Sequence, residues 1–346
     1  MTSKVHVVPG QELQVFKLLE ERGVTTWLDD ELFFSDSSGK LLNGLFGVIK
    51  PSKFTPTGKP VLRVIMNLIP ANSLLQVICG DIKFLPGAAM WLPLTMADGE
   101  ELHLSQGDMS AAFYLFELPA LWQQFMAFKL NLNGKEIGRG STRWFRPVCR
   151  VLPMGWKSSV GIMQMISREL LLQDGLPREL ELHRARRVPS WFTDVVNSSK
   201  DKTCWWQVYL DNFMAAEKSS CGHSMLDIKL QEAAMKAWSS AGLLTAEDKQ
   251  VLGSRKSVCS KGPRHISICT SFSSALVSSG LRQHRSTASH DQGKMPIAAR
   301  RNCSTKIHLP STACISFFVP PRWRSRWIEA HMVFMSRSVE QPSNPC

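Results

Sequence analysis

Two acidic residues, Asp108 and Asp211, are the side chains in this sequence whose placement could do chemistry. Asp108 closes the alternating stretch "ELHLSQGD" (101–108). Asp211 sits with Asn212 between two short apolar runs in "WWQVYLDNFMAAEK" (205–218). An Asp-Asn pair flanked by alternating apolar residues is, by itself, a hairpin turn. It is equally a way to hold a metal-binding carboxylate at a hairpin tip, and the window alone does not choose. Two carboxylates brought close together repel and raise the pKa of one, unless a cation compensates. Mg2+ is a hard cation that takes carboxylate oxygens and substrate phosphates together. A pair of such ions can stabilise both the attacking and the leaving oxygen of an in-line phosphoryl displacement. A lone Asp at a strand end is more often a cap or turn residue, so the case depends on the elements that carry the two.

Those elements can be read from period and punctuation. Residues 10–30 read as a helix around "QELQVFKLLEERG", with Gly23 as its stop. The stretch "GLFGVIKPSKFTPTGKPVLRVIMNLIPAN" (44–72) reads as two strands around a Pro/Gly/Lys-rich loop. After the strand 101–108 comes a compact turn or short helix ended by Pro119, then "LWQQFMAFKLNLNGKE" as a strand and an Asn-Gly turn. Ser158 is a candidate cap for a helix from Ser159 to about Asp174, stopped by Gly175. A second helix follows the hairpin in "HSMLDIKLQEAAMKAWSSAG" (223–242), with Leu226, Leu230, Ala233 and Ala237 on one face, and a last strand is expected near "LLTAEDKQVLG". Strand, helix, hairpin, helix, strand is the β-α-β-β-α-β order of an α+β, ferredoxin-like sheet. Such a sheet sets the end of its first strand beside the central hairpin, which would bring Asp108 to Asp211.

Composition narrows the classes. The net charge of +12 suggests a nucleic-acid partner until its distribution is examined. Residues 254–346 hold 14 Lys+Arg against 3 Asp+Glu, leaving 27 basic and 26 acidic residues in the first 253. The same segment contains 18 Ser and little sustained period. It reads as a mostly disordered basic tail, either an electrostatic arm for nucleic acid or the product of a shifted reading frame, with the second account preferred. The amino terminus lacks the apolar core of a secretory signal and no apolar run reaches the length of a membrane span, so the expected setting is intracellular with no membrane partner. Nine Cys without a C-x-x-C pair give neither a disulfide nor a zinc framework; Cys221 and His223 are close in sequence but are two ligands without others.

Five segments, in order, resemble the reverse transcriptases. "GDMSAAFYLFELP" (107–119), "VLPMGWKSSVGIMQ" (151–164) and "VYLDNF" (208–213) resemble the palm motifs of that family. "LRVIMNLIPAN" (62–72) resembles the fingers segment before them, and "AGLLTAEDKQVLG" (241–253) the segment after. The resemblance implies the fingers and palm of a right-hand polymerase from a retrotransposon-like element. It divides the chain into an N-terminal extension (1–43), a fingers-like segment (44–100), a palm (101–253) and the tail (254–346). It implies RNA-directed DNA synthesis on an RNA or DNA template with a primer, from deoxynucleoside triphosphates, with two Mg2+ ions or Mn2+ in their stead. Asp108 and Asp211 would ligate the metals. Phe113 would occupy the space of a ribose 2′-OH, excluding ribonucleotides by clash; its alternative is a core position. Lys59 and Arg63 would hold the incoming phosphates, or else line a solvated strand edge. Pro153, Met154 and Gly155 would form the turn beneath the templating pair, with Gln164 supporting the site from the helix behind. Lys249 would protonate the leaving pyrophosphate, or else belong to an ordinary surface turn.

The sequence departs from the family in two ways. The hairpin of that family carries two Asp, and here the second is Asn212, whose oxygen can still ligate but brings no charge. Nor does the segment after the palm look like a thumb. A polymerase with a weakened site and a nucleic-acid-binding remnant without catalysis both remain open, as does an unrelated α+β phosphotransfer domain.

Overall fold

The computed structural model describes residues 3–36, 39–97, 99–186, 204–219 and 225–256. Cys221, His223 and the tail beyond residue 256 lie outside the described residues. The chain is α+β, built on antiparallel sheets. Helix α1 (Glu12–Glu21) is followed by β1 (Thr25–Asp29), the small hairpin β2 (Ser35–Asp36) and β3 (Gly39–Lys40), and the long ribbon β4 (Gly44–Phe54) with β5 (Pro60–Asn67). Then come α2 (Ile69–Leu74), β6 (Glu101–Asp108), α3 (Ala120–Gln123), β7 (Leu132–Asn133), β8 (Trp144–Cys149), α4 (Ser159–Gln173), β9 (Cys204–Tyr209), β10 (Asn212–Ser219), α5 (Leu226–Ser240) and β11 (Val251–Lys256).

The sheet that matters for chemistry has the order β11-β6-β10-β9. Its strands and the two long helices follow one another as β6, α4, β9, β10, α5, β11, with α3, β7 and β8 intervening before α4. Side chains alternate across a strand, so the adjacent tryptophans 205 and 206 serve opposite faces. Trp206 stacks on Phe213 at 6.0 Å between ring centroids, and Phe213 meets Trp238 of α5 edge-on at 6.4 Å. Ile162, Met163 and Ile166 of α4 complete that core. Trp205 turns the other way, to Trp91 at 5.4 Å, in a second cluster with Leu94, Met96, Leu102, Leu104 and Leu182. The sheet is therefore covered on both faces, which explains why β9 reads as a nearly continuous apolar run.

Several expectations need correction. Helix α1 ends at Glu21, just before the expected stop Gly23, which takes φ +70°, so it fills only part of the 10–30 window; the β-branched pair Thr25-Thr26 then opens β1, which pairs with β8. Ser158 does not cap α4 with its side chain; its hydroxyl accepts the Ile78 backbone N–H at 3.0 Å. Residues 120–123 form α3 after Pro119, not a strand. The core face of α5 is broader than the expected one. Ala237 is buried and Leu230 and Ala233 pack against the core as expected, but Leu226 is 41% exposed, and Asp227, Gln231, Ala234, Met235 and Trp238 are buried as well. Asp227 accepts from Ser105 Oγ at 2.8 Å, and Gln231 donates to the Gln106 carbonyl at 3.4 Å. Polar residues face the sheet there because β6 offers them partners, which apolarity alone could not register. Finally, β11 runs three residues past Gly253, pairing Ser254, Arg255 and Lys256 with Leu104, His103 and Leu102.

Candidate metal and nucleotide site

In the register of β10 on β6, Asn212 stands opposite Asp108. In the β9–β10 hairpin Tyr209 pairs with Asn212, leaving Leu210 and Asp211 as a two-residue turn. Leu210 has φ +58° and Asp211 is not among the positive-φ residues, the pattern of a type II′ turn. Glycine is the usual occupant of the first central position, and a leucine held there costs about 1–3 kcal/mol. The surroundings over-determine it. Leu210 is buried in the core, and Gln164 of α4 brackets it, accepting the Leu210 N–H at 2.8 Å and donating to the Val208 carbonyl at 2.9 Å. With none of its surface exposed, Gln164 positions the hairpin from behind.

Backbone bonds fix the two carboxylates relative to each other. Met109 N–H donates to the Asp211 carbonyl at 2.8 Å, and Ala246 N–H donates to the Asp108 carbonyl at 2.8 Å. Gly107, just before Asp108, lies under α5; a Cβ there would stand 2.5 Å from the Met235 thioether. This glycine lets the helix seat closely over the strand that ends in Asp108, a role that the sequence reading did not assign.

Charge gathers at the same point. Burial first, then the neighbouring Asp108 carboxylate, pushes the Asp211 carboxyl up to about 6, against the opposing pull of Lys249 and Arg63. Lys249, on a short 3-10 turn (Glu247–Lys249), forms an ion pair with Asp108 Oδ2. Burial and the charge of Asp211 also raise the Tyr209 phenol. The charge of Arg63, on β5, is felt at Asp211, and the ribbon is tied to the segment after Asp108 by Tyr114, whose hydroxyl donates to the Val64 carbonyl at 3.0 Å. Tyr114 is a further residue that the sequence reading left without a role.

The structure thus brings Asp108, Asp211, Asn212 and Lys249 to one place, with Gln164 behind and the charge of Arg63 felt at Asp211. Met154 and Gly155 dock instead on the end of β5. Met154 accepts the Met66 N–H at 3.3 Å, and Asn72 joins the turn by donating to the Gly155 carbonyl at 2.8 Å. Gly155 has φ +112°, and a Cβ would meet the Met66 carbonyl oxygen at 2.3 Å, so no other residue fits there without displacement. Phe113 is half-buried and packs against the core cluster. Lys59 is exposed near the ribbon tip, its backbone bonded to Thr55, and among the described residues no hydrogen bond or ion pair joins its side chain to the carboxylates.

The donor set suits a hard cation: two carboxylates and, across from one of them, an amide. Among the described residues no group of three or more His, Cys, Asp or Glu gathers to hold a metal. Two protein carboxylates match the mode in which Mg2+ keeps its waters and takes substrate phosphates. Among the described residues no helix is long and apolar enough to cross a membrane.

No family model and no curated protein matches the chain. Among solved structures it is similar to a foamy viral protease-reverse transcriptase in complex with dsDNA, at TM-score 0.44 and 15% identity over 82% of this chain and 46% of that one. It is also similar to the native Prototype Foamy Virus protease-reverse transcriptase, at TM-score 0.43 and 13% identity over 73% of this chain and 25% of that one. The chain spans less than half the length of either. A likeness at these scores carries no argument, and the functional reading rests on the chain's own residues.

Proposed function

We propose that the chain is the fingers-and-palm part of an RNA-directed DNA polymerase, of retroelement type, in which a primer 3′-OH attacks the α-phosphate of a deoxynucleoside triphosphate and pyrophosphate leaves. The observation that carries this reading is the placement of Asp108 at the end of β6 against the hairpin turn that holds Asp211, with Lys249 paired to Asp108. The five ordered sequence segments support it independently. Two Mg2+ ions bound by Asp108 and Asp211 would supply charge neutralisation at the attacking and leaving oxygens.

The remaining work falls to the chain's own groups, and it is chiefly positioning and charge. Gln164 fixes the hairpin that carries Asp211. Arg63 meets the phosphates with a guanidinium fork suited to paired oxygens. Phe113 limits space beside the sugar, and Lys249 is within reach to give a proton to the departing pyrophosphate. Template and primer would lie against the ribbon β4–β5 and the Met154–Gly155 turn docked on it. A second reading, a nucleic-acid-binding remnant without catalysis, is favoured by one observation, the neutral Asn212 opposite Asp108.

The test is Mg2+-dependent binding of a fluorescent deoxynucleoside triphosphate. Asp211→Ala should abolish the metal-dependent part, and Arg63→Ala should weaken binding by about tenfold, the loss of one charge-assisted contact. Binding that neither substitution changes would overturn the proposal.

A further inference from the structure

Asp108 and Lys249 form an ion pair whose two partners differ in exposure. The Asp108 side chain is 12% exposed at the end of a paired strand, whereas the Lys249 side chain is 46% exposed. The backbone beneath Lys249 is fixed: Lys249 N–H donates to the Ala246 carbonyl at 3.1 Å, and Ala246 N–H donates to the Asp108 carbonyl. The lysine is therefore a long, partly exposed stem with an ammonium end on the carboxylate, its main chain anchored beside it.

The local charge points the same way. Asp108 and Asp211 bring two negative charges, and Lys249 and Arg63 oppose them with two positive ones. Without a cation the two carboxylates would repel, so the lysine neutralises a pair that otherwise needs a metal. A divalent ion entering between the carboxylates meets the ammonium as a competitor for Asp108 and as a like charge.

Resting on the reading of this site as a metal site, we infer that Lys249 is a built-in placeholder cation: it occupies Asp108 in the metal-free protein and is expelled when a divalent ion binds. The expelled ammonium stays within reach of the site because its backbone is tied through Ala246 to the Asp108 main chain, so it is delivered to the phosphates that arrive with the metal. One residue then guards the empty site against its own repulsion and becomes a phosphate contact in the loaded one.

Two measurements on the full chain test this. In the first, lysines are acylated at low reagent concentration with and without Mg2+ at constant ionic strength, and the Lys249 rate is read by mass spectrometry against exposed Lys135. Saturating Mg2+ should raise the relative Lys249 rate by about fivefold, in line with release from an ion pair, and Asp108→Asn should give the high rate without metal. In the second, calorimetry should find Mg2+ bound about tenfold more tightly by Lys249→Met, since a competing charge is gone. Mg2+ binding that depends on Asp211 but leaves Lys249 labelling unchanged, or that Lys249→Met weakens or leaves unaltered, overturns the inference alone. Absence of any Asp211-dependent Mg2+ binding overturns the metal site and the inference together.

Discussion

Asp211 is a carboxyl group whose ordinary acidity is opposed by burial and by Asp108, and this has a measurable consequence. A group whose folded-state pKa is raised holds its proton more tightly in the folded protein. Its stabilising contribution is complete below the unfolded value of 3.8 and is lost as pH rises through about 6. In metal-free solution Asp211→Asn should therefore match the parent near pH 4 and exceed it near pH 8. The gain should be of order 2 kcal/mol, reduced by solvent screening. Urea unfolding of both proteins at the two pH values checks the sign, and a variant less stable at the higher pH would contradict it. The pair was legible in the sequence because only residue type and topology were needed to bring it together. The roles of Gly107 and Tyr114 were not, since a close helix approach and a hydroxyl contact with another strand have no local signature.

At the level of elements, the hairpin depends on α4 through one side chain. Gln164→Ala would leave the Val208 carbonyl and the Leu210 N–H without their partners in a buried setting. The expected cost is about 2–4 kcal/mol, together with faster hydrogen exchange at Leu210 than at the other hairpin amides. Thermal unfolding combined with amide exchange separates this from a general loss of packing: uniform acceleration across β9 and β10 would contradict a local clamp. Long periodic elements were legible, and α4, bounded by Ser159 and Gly175, ends where punctuation placed it. What failed did so for physical reasons. The buried face of α5 extends beyond the expected apolar stripe because Asp227 and Gln231 face β6 as hydrogen-bonding groups, and α1 fills only part of its window because its glycine stop is followed directly by a strand that pairs with β8 far along the chain.

Across the whole molecule, the central sheet is held between two different coverings, and a buried ionic knot fastens one of them. Arg168 of α4 donates to Glu181 from Nε and Nη2, at 2.6 and 2.9 Å, and to Asp81 from Nη1 at 3.1 Å, while its cation sits 4.0 Å from the Phe84 ring centroid. Arg168 links α4 to the segments around residues 81–84 and 178–182, which flank the sheet that carries Asp108 and Asp211. Neither this link nor the pairing of β11 beyond Gly253 could be read from periodicity, because both join segments far apart in sequence. The central claim for the assembled molecule is a working carboxylate pair, and primer extension on an RNA template with deoxynucleotides and Mg2+ tests it most directly. The parent chain should extend the primer, Asp211→Ala should reduce extension to background, and Asn212→Asp should retain or increase it. Extension that survives Asp211→Ala, or silence from both the parent and Asn212→Asp, would contradict the account.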